Sequence, residues 1–202
     1  MNVKMRSRIS GVVGTLAIVL GSASCGDVAQ IGRSPSILVI DALQAAEGDT
    51  PSSFGPFLLS DVLTKGTIYN DPGQVALRTV LKDLGVPGAS TTPTVMNAVT
   101  LSRYHVVFLR TDGRNTQGVD VPYAFDGAVT GTITPSGLSV GFELVRHQAK
   151  LEPPLSILAG QGGRVIISTI AEVTFYGKDV AGNDVQAIGK MSVNFGDFAD
   201  PE

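Results

Sequence analysis

The sequence predicts an all-β protein: an antiparallel β-sandwich over residues 36–198, enlarged by extra strands or a long insertion and preceded by a signal peptide. Three observations predict it. Short runs of alternating apolar and polar residues recur along the chain, turn residues separate them, and no helical pattern is interleaved. Composition agrees, because 24 of the 202 residues are glycine and only 16% are charged. That profile suits many strands joined by tight turns better than a helical bundle.

The first 24 residues read as a targeting segment. Lys4, Arg6 and Arg8 form a basic start, "GVVGTLAIVL" supplies ten mostly apolar residues, and Gly21, Ser22, Ala23 and Ser24 are small. Those are the three parts of a secretory signal peptide. A membrane-spanning helix needs about 20 apolar residues, so export with cleavage is expected rather than a permanent span. Removing this segment takes away three of the fifteen basic residues and none of the eighteen acids, leaving a net charge of −6. A net acidic chain with scattered Lys and Arg carries neither the basic stripe of a nucleic-acid binder nor a polybasic membrane patch.

Cys25 is the only cysteine, so no intramolecular disulfide can form. Small residues followed by cysteine at the end of an apolar run resemble the lipobox of bacterial lipoproteins. In that family the cysteine becomes the first mature residue and its sulfur carries a diacylglyceryl group. The resemblance implies lipidation at Cys25 and attachment to a membrane. The alternative is ordinary cleavage after "SAS", with Cys25 incidental; Ser22 stands where lipoboxes carry an aliphatic residue. Residues 25–35 are then the anchor site and a flexible tether, small and polar in composition.

Along the domain, "SILVIDAL" is a first strand, residues 45–56 a loop, and "FLLSDVL" a second strand. "NDPG" at 70–73 has the residues of a turn. "QVALRTVLKDL" fits two periods: Val75, Leu77, Thr79 and Leu81 share a strand face, while Leu77, Val80, Leu81 and Leu84 share a helix face. The preceding turn favours the strand. After a loop with Pro87 and Pro93, "AVTLSRYHVVFLRT" and "VPYAFDGAVTGTIT" flank "DGRNTQG", whose Asp112-Gly113 is a hairpin dipeptide. "GLSVGFELVRHQAKL" alternates from Leu138 to Leu144, and "EPPLSILAGQGG" breaks the pattern. "RVIISTIAEVTFYGKD" and "VQAIGKMSVNFGDF" enclose "VAGN", and residues 199–202 form a tail.

The stretch "EVTFYGKDVAGNDVQAIGKMSVNF" resembles the closing hairpin of bacterial immunoglobulin-like and fibronectin-III-like domains. Asp179, Gly182 and Asn183 occupy the turn positions of that pattern, followed by Asp184. The chain as a whole is similar to bacterial exported proteins of unassigned function. The resemblance implies an immunoglobulin-like sandwich of about 160 residues, longer than the roughly 100 usual for the fold. The surplus is expected between Ala42 and Ala98.

Two function classes follow. One is a non-catalytic cell-envelope module, either structural or binding an envelope protein or a glycan through its loops, with no cofactor and no nucleic acid. Exposed tyrosines, Tyr69, Tyr104 or Tyr123, would offer a sugar-stacking platform, unless they pack in the core. The other is a secreted enzyme. "GLSVG" matches G-x-S-x-G around Ser139, but only Glu143 and His147 follow closely, on what reads as a continuous strand rather than a strand-to-helix elbow. His105 and His147 would need a third ligand to hold zinc. Asp179, Asn183 and Asp184 are oxygen donors at one hairpin tip, a potential cation or partner loop, and turn formation explains the same residues.

Overall fold

The computed structural model describes residues 32–83 and 92–198; residues 1–31, which hold the expected signal peptide, Cys25 and most of the expected tether, residues 84–91 with Pro87, and residues 199–202 lie outside the described residues. Among the described residues there are eight strands: β1 (Ser36–Ala45), β2 (Phe57–Asp61), β3 (Asp71–Leu81), β4 (Val99–Leu109), β5 (Phe125–Ile133), β6 (Leu138–Val145), β7 (Ile167–Asp179) and β8 (Asp184–Gly196). A single-turn helix, α1 (His147–Leu151), and a 3₁₀ turn at Leu155–Ile157 connect β6 to β7. β1, β3 and β6 make an antiparallel sheet in the order β1-β3-β6, and the second sheet runs β2-β8-β7-β4-β5.

The all-β expectation holds, with corrections. The second sheet is mixed, because β2 pairs in parallel with β8, Phe57 opposite Ser192 through Asp61 opposite Gly196. Strand direction across so long a connection is not written in a five-residue run. "NDPG" is not a turn either: β3 begins at Asp71, with Pro72 beside a register shift where a missing N–H is tolerated. Gly73 lacks a positive φ; it is small because Phe142 lies where its Cβ would be. The stretch around Asp112-Gly113 is a long loop between β4 and β5, not a tight hairpin. His147 starts α1 instead of ending a strand.

The strand reading of residues 74–81 is the one adopted. Val75, Leu77 and Thr79 are buried at period two while Arg78 is exposed. The two sheets face each other across one continuous apolar core that includes Leu77, Phe142 and Leu144 from one sheet and Tyr104, Phe108, Phe175 and Phe195 from the other. Phe142 bridges them: its ring meets those of Tyr104 and Phe175 edge-on, each with centroids 5.2 Å apart. Such contacts add about 0.5–1.5 kcal/mol each beyond the area they bury. The Tyr104 hydroxyl accepts from the Glu143 N–H at 3.2 Å, joining β4 to β6 at the sheet interface. No helix among the described residues is long and apolar enough to cross a membrane.

Gly73→Ala should cost about 1–3 kcal/mol, because the new methyl displaces the Phe142 ring from its edge-on contacts. Urea unfolding monitored by far-ultraviolet circular dichroism measures it; an unchanged midpoint would show that Phe142 is not held against β3.

Candidate functional site

Two polar constellations stand out from the hydrogen-bonded ladders. The first is buried. Lys150 on α1 and Asp71 at the start of β3 pair at 2.9 Å, each side chain 1% exposed. Lys150 also donates to the Asp61 carbonyl at 2.8 Å. Asp71 accepts from the Ser60 hydroxyl at 2.6 Å and from the Gly48 N–H at 3.0 Å. Burial drives the Asp71 carboxyl upward from the ordinary aspartate range, against the pull of the Lys150 ammonium and the Ser60 and Gly48 donors.

Two further carboxyl groups border this cluster. Burial, reinforced by the charges of Asp49, Asp71 and Asp61, raises Glu47. Burial also raises Asp61, despite hydrogen bonds from the Leu63 N–H, the Thr64 hydroxyl and the Phe198 N–H. Glu47 lines an open cleft of about 340 Å³ together with Ala45, Ala46, Phe54 and Leu58. Local sequence could not reveal the cluster: Asp71 sat in an apparent turn, and its partner lies 79 residues away.

The second constellation is a surface groove of about 340 Å³ on the outer face of the five-stranded sheet. A bulge places Ser102 out of register with both neighbouring strands. Beside it the Arg103 guanidinium lies 3.7 Å above the Tyr176 ring centroid and pairs with Asp126 at 2.9 Å. Lys178, paired with Asp184 at 2.7 Å, and Gln186 continue the wall. Bulges strengthen local twist and re-aim side chains, and here two cations, a carboxylate, an amide and an aromatic ring share one depression. A signal for it existed in the sequence. The buried residues of β4 change phase from Val99 and Leu101 to Tyr104, Val106 and Phe108, as one inserted residue requires.

The residues singled out from sequence fall elsewhere. Ser139 is exposed within β6, opposite Ala76, and no helix follows it directly. His105 lies on the outer sheet face with Nδ1 3.3 Å from Asp126, whereas His147 is exposed at the start of α1. No group of three or more His, Cys, Asp or Glu among the described residues is arranged to hold a metal. Tyr104 is in the core, while Tyr69 and Tyr123 are exposed. Cys25 lies outside the described residues.

Asp179, Gly182, Asn183 and Asp184 do meet at the tip of the last hairpin. Asp179 accepts from the N–H groups of Ala181 and Asn183 and from the Asn183 side-chain amide. Gly182 supplies the left-handed conformation that closes the turn, at φ +84°. The Ser34 hydroxyl bonds Asp179 as well, and Ser34 is buried. The end of the segment assigned to the tether is therefore seated on the hairpin. Burial works to raise the Asp179 carboxyl, but these hydrogen bonds outweigh it and hold it below its ordinary value. Compared with protein-family models, curated proteins and solved structures, the chain matches none.

Ser60→Ala should destabilise by about 1–3 kcal/mol, since Asp71 keeps its buried oxygen but loses a donor. Equilibrium urea unfolding checks it; a change within error would mean that the donor contributes nothing.

Asp179→Ala should cost about 1–3 kcal/mol at pH 7. A depressed carboxyl stabilises the fold above its unfolded value of about 4, and this contribution fades as pH falls through the lower folded value. The gap between variant and wild type should therefore narrow in melts below about pH 4. A gap independent of pH would mean that the charge is irrelevant to the turn.

Proposed function

We propose that this chain is a non-catalytic binding module of the cell envelope: an immunoglobulin-like β-sandwich, exported by its signal peptide and held on a membrane through a lipid on Cys25. The sandwich reading is supported by strand order. β1-β3-β6 facing β2-β8-β7-β4-β5 follows the immunoglobulin pattern of strands A-B-E facing A′-G-F-C-C′. In that correspondence β2 is the half of the first strand that crosses to the second sheet and runs parallel to the last one. The surplus length then lies in the 46–56 and 110–124 loops and the β6–β7 connection.

The observation that carries a binding role is the groove beside Tyr176. It is open, it joins the Tyr176 ring, with Arg103 stacked over one face, to hydrogen-bond donors and acceptors of both charges, and its side chains pair on the surface, where ion pairs are weak and exchangeable. Hydroxyl-rich glycans suit such a surface, because each sugar offers an apolar ring face and several donors and acceptors. This site is on a sheet face rather than in the loops.

Binding is tested by sedimentation with insoluble cell-wall glycan. Wild type should co-sediment, and Tyr176→Ala should weaken the interaction roughly tenfold, about 1.4 kcal/mol. Equal co-sedimentation of the variant would remove the groove from the account.

Anchoring is tested by fractionation. Wild type should stay with membranes through a high-salt wash, since buried acyl chains, unlike surface charge, are not screened by salt. Cys25→Ser should appear in the soluble fraction. A mature N-terminus lacking a modified Cys25 would sink the lipoprotein reading.

A further inference from the structure

The groove beside Tyr176 does not end at the sheet. One of its walls, Asp184, Val185 and Gln186 at the start of β8, is also a wall of a second hollow of about 190 Å³. That hollow is completed by the start of β1, with exposed Ile37, and by Lys82 just past β3. A third, of about 550 Å³, shares Gly32, Ser34 and Lys82 with the second and continues past Arg33. We infer that the three form one trough for a linear acidic polysaccharide, a chain of sugars carrying carboxylates at intervals. This rests on the glycan reading of the groove and names the class of glycan.

The fold sets the course of the trough. Ser102 is on β4, and β7 and β8 follow it in the sheet, so the first hollow spans two strand spacings, about 10 Å. Beyond β8 the trough passes to β1 and the end of β3, in the facing sheet about 10 Å away. A course of about 20 Å is longer than one sugar ring and suits an extended chain. Its last stretch is walled by the segment that precedes β1. The buried Ser34 hydroxyl bonds Asp179 at the tip of the last hairpin, and Nζ of Lys82 donates to the Gly32 carbonyl at 2.6 Å. A wall fixed before the ligand arrives spares the ordering cost of binding.

Charge names the class. The whole chain has eighteen acids against fifteen basic residues. Along the trough the balance reverses: exposed Arg103, Lys178, Lys82 and Arg33 stand against the carboxylates of Asp184 and Asp83. Lys82 is held by a carbonyl, an acceptor with no charge of its own. Arg103 and Lys178 are held by Asp126 and Asp184, in surface pairs that a ligand can displace. A ligand carboxylate can take either cation while the released aspartate turns to a sugar hydroxyl. Cations set among carboxylates fit a polymer charged at intervals. A nucleic acid carries a phosphate on every unit and is held by successive aromatic side chains, whereas a single ring, that of Tyr176, lines this trough among the described residues.

The test is calorimetric titration of the full-length chain with polygalacturonate, a linear polyuronate, and with the same polymer methyl-esterified at its carboxyl groups. The polyuronate should bind roughly tenfold more tightly at low salt, and the gap should shrink as salt screens the exposed charges. Lys82→Gln should weaken polyuronate binding several-fold and leave the ester unchanged, whereas Lys82→Arg should keep the preference. Equal affinity for the two polymers, or Lys82→Gln that binds the polyuronate as wild type does, overturns the inference. If the ester still binds and Tyr176→Ala weakens it, the glycan reading of the groove stands without this extension. Binding of neither polymer removes both. A single-stranded oligonucleotide bound as tightly as the polyuronate would also overturn the inference, because the trough would then follow charge alone.

Discussion

A charged pair sealed inside an apolar body constrains everything around it. Lys150 and Asp71 cannot be left apart, because an unpaired charge in that position costs several kcal/mol. Their contact recruits four segments: the loop through Gly48, β2 through Ser60, the start of β3 and the helix α1. Asp61, whose carbonyl holds Lys150, extends the tie by using its carboxyl to receive the Phe198 N–H just beyond β8. One end of the molecule is thus organised about a single polar centre. The aromatic contacts around Phe142 organise the interior between the sheets.

This division of labour suits a chain with one cysteine. Apolar packing alone brings the sheets together, but it is tolerant of sliding and re-pairing. A buried ion pair is a poor source of net stability and a stricter demand on geometry. Here that demand falls on the connections where the fold is least regular: the crossing from β1 to β2 and the helical link after β6. The parallel placement of β2 against β8 depends on that crossing being held.

Sequence reasoning reached the parts of the fold whose signals are local. Alternation located β4 through β8, and the Asp-x-x-Gly-Asn tip placed the last hairpin where the ladder from Ile167 opposite Phe195 to Lys178 opposite Asp184 ends. It misread Asn70–Gly73, where turn-forming residues serve other purposes. Asp71 is there for its charge, and Gly73 for the space it leaves to Phe142. It could not see Lys150, since a lysine in "HQAKL" is ordinary until a partner 79 residues away is known. The groove was half legible: the phase slip in β4 announces the bulge, but the stacking of Arg103 on Tyr176 joins two strands far apart in sequence. Ser139 and His105 stand singly on strands β6 and β4, and His147 starts α1, so the fold leaves them separate.

The dependence of this architecture on its buried pair is tested most directly by a double-mutant cycle on Lys150→Met and Asp71→Val, with stability from urea unfolding. Each single variant strands one charge and should lose about 3–5 kcal/mol. The double variant strands none and should lose much less than the sum, an interaction energy of about 2–3 kcal/mol. Losses that simply add would contradict the account, because they would mean that the two side chains stabilise the fold independently.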